Sequence, residues 1–226
     1  MTTHGDGSDA TVNDVTSTMS EETSTLREAG DPLANWPYPP PGGWTADDLD
    51  RLPQEGPHGE PDFFKHVELV DGALIFTSPQ KRFHDVMIRR LASSFEDQVP
   101  DHLAVATQMD VVLGPRQRPC PDVLLIDAAL DQEHDRTSYT PGEVHLIVEV
   151  VSPESEFRDR EVKPGRYAEA GIPNFWRVEA ENGKPVLYIY ELDPATHLYV
   201  PTGIYHDKIS LQTPFPIDLD LGGLLR

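Results

Sequence analysis

Eight consecutive residues, Val144-His145-Leu146-Ile147-Val148-Glu149-Val150-Val151, read as one strand of a sheet core with a carboxylate set inside it. Glutamate is almost never fully buried unless it is paired, because an unpaired charge in apolar surroundings costs several kcal/mol. A second such run, Val123 to Ile126, is opened by Pro121-Asp122. A third β-branched run extends from Leu103 to Leu113. Two carboxylates interrupting neighbouring core strands need a shared partner. A divalent metal ion satisfies both at once, and a hard cation such as Mg²⁺ takes one or two carboxylates and keeps several waters. Asp122 and Glu149 are therefore expected to be metal ligands. The competing reading makes Asp122 a turn cap after Pro121.

The rest of the chain builds around these runs. Thr45 and Asp48 resemble a capping box that opens a short helix over 46–52, with Pro53 as its stop. Residues His66 to Thr77 read as a hairpin turning at Asp71-Gly72, with Glu68 inside its first strand. Phe83, Met87, Ile88, Leu91 and Phe95 recur at helical spacing, predicting an amphipathic helix over 80–98 with His84 beside the apolar stripe. A polar helix over 155–170 is closed by Gly171. Phe175, Trp176 and Val178 start a strand, and residues 186–192 and 197–205 form a second hairpin. Helix, hairpin, helix, three strands, helix, strands predicts an α+β (mixed α/β) class with a central sheet flanked by helices.

Residues 1–43 are expected to be a disordered acidic tail followed by the stiff segment Pro37-Tyr38-Pro39-Pro40-Pro41-Gly42-Gly43, with one domain over 44–226. The chain has 18 basic against 39 acidic side chains, a formal charge of −21. Residues 1–30 hold six of the acids and one base, so the remainder is itself acidic. Such a surface repels free nucleic acid and anionic membranes. No apolar run approaches the length of a membrane span, and no secretory leader is visible, so a soluble cytoplasmic protein is expected. Cys120, alone, makes no internal disulfide, and the nine histidines show no zinc-ligand spacing. Eleven of the eighteen Lys and Arg fall within residues 81–166, several of them flanking the acidic pair.

Several short motifs fall in order between Trp44 and about Asp193: Glu68-Leu69-Val70-Asp71-Gly72, His84, Pro121-Asp122, Glu149-Val150-Val151-Ser152-Pro153, Asp159, Lys163, Tyr167, Ala170-Gly171-Ile172-Pro173 and Phe175-Trp176-Arg177-Val178. Together they resemble the PD-(D/E)XK nuclease superfamily, and within it the Uma-two branch of restriction-endonuclease-like proteins. The resemblance implies a restriction-endonuclease-like fold and Mg²⁺- or Mn²⁺-dependent hydrolysis of nucleic-acid phosphodiester bonds. Asp122 and Glu149 are then metal ligands, with Glu68 as an additional one. The substrate it implies is nucleic acid, DNA first, bound weakly and with steep salt dependence or with a helper protein. A homodimer is an analogy from the superfamily.

One position departs from the pattern. The superfamily places a Lys two residues after the Glu, and this chain has Val151 there. Lys163 is the candidate replacement, but Pro164-Gly165 follows it directly. Either the helix restarts at Pro164 with Lys163 at its start, or it kinks and Lys163 aims elsewhere. The alternative function is accordingly a catalytically decayed nuclease fold kept as an interaction module. Glu68 is either a ligand or a solvent-facing hairpin residue. His84 contacts a phosphate or packs beside its helix, Asp159 pairs structurally or orients Lys163, and Tyr167 and Trp176 read as core.

Overall fold

The computed structural model describes residues 36–77 and 80–225. The tail expected over residues 1–30 lies outside the described residues. The described chain divides into two compact units. In the smaller, residues 36–38 and 52–65, the rings of Trp36, Phe63 and Phe64 meet edge to face at 5.1–5.9 Å. The Gly56 N–H closes its turn on the Glu60 carbonyl at 2.8 Å.

The larger unit, residues 39–51 and 66–225, carries the sheet. Its elements in chain order are α1 (Ala46–Leu49), β1 (Val67–Val70), β2 (Ala73–Phe76), α2 (Arg82–Glu96), β3 (Leu103–Thr107), β4 (Asp110–Val111), β5 (Val123–Asp127), β6 (Ser138–Tyr139) and β7 (Val144–Val150). A π-helical turn, Arg158–Val162, then leads into α3 (Lys163–Glu169), β8 (Asn174–Glu181), β9 (Lys184–Asp193), β10 (Leu198–Tyr205), β11 (Lys208–Leu211) and β12 (Ile217–Asp220). Six strands form the main sheet in the order β10-β9-β8-β7-β5-β3. Within this sheet β7 and β8 pair in parallel and the other neighbours antiparallel, and the crossover between β7 and β8 carries α3. This is the mixed α+β architecture expected.

Each face of the sheet has its own core. Leu146, Val148 and Val150 of β7 pack with Met87, Leu91 and Phe95 of α2, while Ile147 joins Tyr167 of α3 and Phe175 on the other side. Side chains alternate along a strand, so Glu149 emerges on the Ile147 face, toward α3. The same alternation sends Val123 and Leu125 to the α2 side and Leu124 to the α3 side.

Two expectations shift in detail, and a C-terminal hairpin is added to them. The helix at Thr45 stops at Leu49, well before Pro53, although the Asp48 carboxylate does accept the Thr45 N–H at 2.9 Å. The run from Leu103 to Leu113 is broken where Gln108 adopts a left-handed backbone, φ 51°, and its N–H turns to the Asp122 carbonyl at 3.2 Å. That break ends β3 just before the acidic cleft. The weakly patterned C-terminal stretch pairs as the hairpin β11–β12.

Candidate active site

The register of the sheet brings the two carboxylates together. Val123 of β5 lies opposite Val148 of the antiparallel β7. One step outward, Asp122 lies opposite Glu149, and directly opposed residues place their Cβ atoms about 4.5–5.5 Å apart. The Asp122 carboxylate is fixed there because its Oδ2 accepts the Val150 N–H at 2.7 Å. Its Oδ1 lies 3.2 Å from His84 Nε2. His84 is buried near the start of α2, so it packs and also faces the acidic pair.

Lys163 reaches the same place from the other side. Pro164 has no N–H and its ring collides with the carbonyl four residues back in a regular helix. The chain avoids that conflict with the π turn, in which the Lys163 N–H bonds the Arg158 carbonyl five residues back. Pro164 then falls in the first turn of α3, where a missing N–H costs nothing. Of the two outcomes left open by Pro164-Gly165, the helix that starts anew at Lys163 is the one found. The Lys163 ammonium sits 2.8 Å from Glu68 Oε1, 3.1 Å from Glu149 Oε1 and 3.2 Å from Asp159 Oδ1. It arrives fourteen residues after Glu149 at the side chain that a Lys at position 151 reaches directly in the superfamily pattern.

Glu68 is buried in β1, not on a solvent face. Its Oε1 accepts the Cys120 N–H at 3.1 Å in addition to facing Lys163, and Arg158 Nε stands 4.0 Å from its Oε2. Asp159 is likewise buried, facing Lys163 one turn along, so its pairing and its place in the site are the same contact. Tyr167 is core, as its sequence reading has it, and makes one contact that reading does not give. Its hydroxyl donates to Glu149 Oε1 at 2.5 Å, while its ring stays in the core. The missed signal is spacing: Asp159, Lys163 and Tyr167 recur every four residues and so share one helix face. Trp176 is core, in an edge-to-face contact with Phe95.

Three buried carboxylates, Glu68, Glu149 and Asp159, thus surround one buried ammonium, and a fourth, Asp122, lies opposite Glu149. Burial raises the Glu149 proton affinity well above the usual carboxylate range, and the charges of Asp159, Asp122 and Glu68 add to it despite Lys163. Burial also raises Asp159. Burial acts to raise Glu68, but Lys163, the Cys120 N–H and Arg158 together outweigh it and hold the carboxyl below its ordinary value. Burial works against charge on Lys163, but Glu149, Glu68 and Asp159 more than offset it, so the ammonium stays protonated. Carboxylate oxygens are the donor type that a hard divalent cation takes. Among the described residues, no three or more His, Cys, Asp or Glu side chains are gathered as a ready cage. Glu68 instead faces Lys163, and both hydrogen bonds to Glu149 fall on Oε1 among those residues. The cluster opens to solvent through a cleft of about 120 Å³, also lined by Phe76, Glu154 and Arg158.

Comparison with known proteins bears on the fold and the family. No curated protein matches the chain. Among solved structures, a crystal structure described as "a putative nuclease belonging to DUF820" from Anabaena variabilis superposes with a TM-score of 0.60. The match covers 80% of this chain and 96% of that one at 14% identity, a likeness of fold. The sequence profile of Uma2, described as "Putative restriction endonuclease", matches residues 47–222, which include every side chain of the cluster. The chain belongs to the Uma2 family of nuclease-like proteins.

Proposed function

We propose that the protein is a divalent-metal-dependent endonuclease that hydrolyses nucleic-acid phosphodiester bonds, DNA first among its substrates. The observation that supports this most is the Lys163 ammonium held 3.1 Å from Glu149, although the usual position for that cation is Val151. The π turn that accommodates Pro164 delivers this ammonium to the Glu149 side chain.

In this reading Asp122 and Glu149 hold Mg²⁺ or Mn²⁺. The chemistry such an ion supplies is hydroxide at neutral pH and charge compensation on the phosphate. Lys163, with its N–H groups toward Glu68, Glu149 and Asp159, acts on the attacking oxygen and on the charge that develops on the phosphate through its positive charge, from a position already set before reaction. Glu68 and Asp159 act as positioning residues, because they hold the ammonium from two sides. Tyr167 positions Glu149 by occupying Oε1, which leaves Oε2 for the ion. His84 orients Asp122 from the α2 side and borders the cleft where a phosphate enters. We place the enzyme in the cytoplasm. The only related fact in the structure is that no described helix is long and apolar enough to cross a membrane.

The test is incubation of the full chain with Mg²⁺ or Mn²⁺ and single-stranded DNA, duplex DNA and RNA. Metal-dependent cleavage that disappears in Asp122→Ala and Glu149→Gln is expected. No cleavage of any form, or cleavage undiminished in both variants, would overturn the proposal.

A further inference from the structure

Phe157 is 71% exposed, more than any other large apolar side chain among the described residues. A single exposed ring is ordinary on a surface, so its location has to carry the argument. Phe157 lies between Glu154 and Arg158, which both line the cleft above Asp122 and Glu149. It also lines an open groove of about 350 Å³ with Pro153, Glu154, Glu156, Arg160 and Glu161. Glu154 lines both spaces, so the groove and the cleft share a wall. Phe76, at 37% exposure, lines the cleft as well.

The charges decide which part of a strand this groove receives. Three glutamates line it, and its one cation, Arg160, is tied to Glu156 and Glu179. A phosphate is repelled there, whereas a neutral base is not. A chain of charge −21 also draws little affinity from backbone phosphates, which normally supply most of it. Stacking on an aromatic face is independent of that charge and tolerant of sequence. Stacked, paired bases within a duplex do not present a free face to Phe157.

We propose that Phe157 is a stacking platform for an unpaired nucleobase beside the cleft, so that the substrate is a single-stranded or locally unpaired nucleic acid. This rests on the nuclease reading for what occupies the cleft, but not on turnover.

The test is fluorescence anisotropy of the full chain with a short labelled DNA single strand and its duplex, with Ca²⁺ in place of Mg²⁺. Wild type is expected to bind the single strand about tenfold or more tighter than the duplex, and Phe157→Ala to lose about tenfold of that affinity. Phe157→Trp keeps the affinity and Phe157→Leu, apolar but without a ring face, does not. Because the side chain is exposed, all three variants melt with wild type. Equal single-strand affinity in Phe157→Ala and wild type overturns the proposal. So do full affinity in Phe157→Leu, a preference for duplex, no affinity for either form, and loss of self-association as the sole effect of Phe157→Ala. Cleavage by wild type with binding unchanged in Phe157→Ala defeats this inference alone. Strand binding through Phe157 without cleavage defeats the nuclease reading and leaves this one standing.

Discussion

At the scale of single residues, Lys163 holds the cluster together. Removing one partner from a buried ionic group costs about 3–5 kcal/mol, because the groups left behind lose their compensation. Lys163→Met is therefore expected to lower stability by about 3 kcal/mol in urea unfolding and to abolish cleavage. Tyr167→Phe makes a finer cut, since the ring stays and one hydrogen bond goes. Groups that orient metal ligands contribute about 10- to 100-fold in affinity. Calorimetry with Mn²⁺ is expected to show about a tenfold loss in Tyr167→Phe.

Glu149 gives the site its pH dependence. Its folded-state proton affinity is raised above the ordinary 4.5, chiefly by burial. In the metal-free protein its contribution to stability is therefore fully present below pH 4.5 and is lost as pH rises through the raised value. Metal binding needs the ionised form, so the ion displaces a proton and binds more tightly as pH rises. Mn²⁺ affinity is expected to climb by up to about tenfold per pH unit above 4.5 until Glu149 is fully ionised. Glu149→Gln should bind weakly and lose that slope. A flat profile in wild type would contradict the assignment.

At the scale of elements, the site is a meeting of strand register and helix registration. The Val123–Val148 pairing aligns Asp122 with Glu149, and the π turn before Pro164 sets the Asp159, Lys163 and Tyr167 face. Strand alternation puts position 151 on the same face as Glu149. The double variant Lys163→Ala/Val151→Lys is accordingly expected to regain part of the cleavage lost in Lys163→Ala, measured as initial rates. No recovery would mean that Lys163 acts mainly in stability.

The elements differ in how readable they are. The apolar strands, the Asp71-Gly72 hairpin and the stripe of α2 follow from periods of 2 and 3.6 and are visible directly. The break at Gln108 was not, since nothing in its neighbours marks a left-handed residue. Asp122 and Glu149 stood out because carboxylates rarely interrupt such runs. The aim of Lys163 was undecided in sequence, because Pro164 is compatible with a new helix or a kink. Tyr167 was hidden because an aromatic residue on a helix facing a sheet reads as packing, and its ring does pack.

At the scale of the whole molecule, the acidity and the proposed activity stand in tension, with 39 acids against 18 bases. The structure eases it locally. On the proposed reading, the buried carboxylates that add to the negative charge are the ones that recruit a divalent ion, and the exposed Phe157 offers attraction that needs no charge. Any such site in this fold needs the β5–β7 pairing and the crossover into α3, both within the matched residues 47–222.

The central claim is that Asp122 and Glu149 share one divalent ion, and anomalous scattering from crystals soaked in Mn²⁺ tests it most directly. The account predicts a single strong peak within coordination distance of both carboxylates, with the Lys163 ammonium still beside Glu149. Mn²⁺ absent from that position, or bound only elsewhere on the acidic surface, would contradict it.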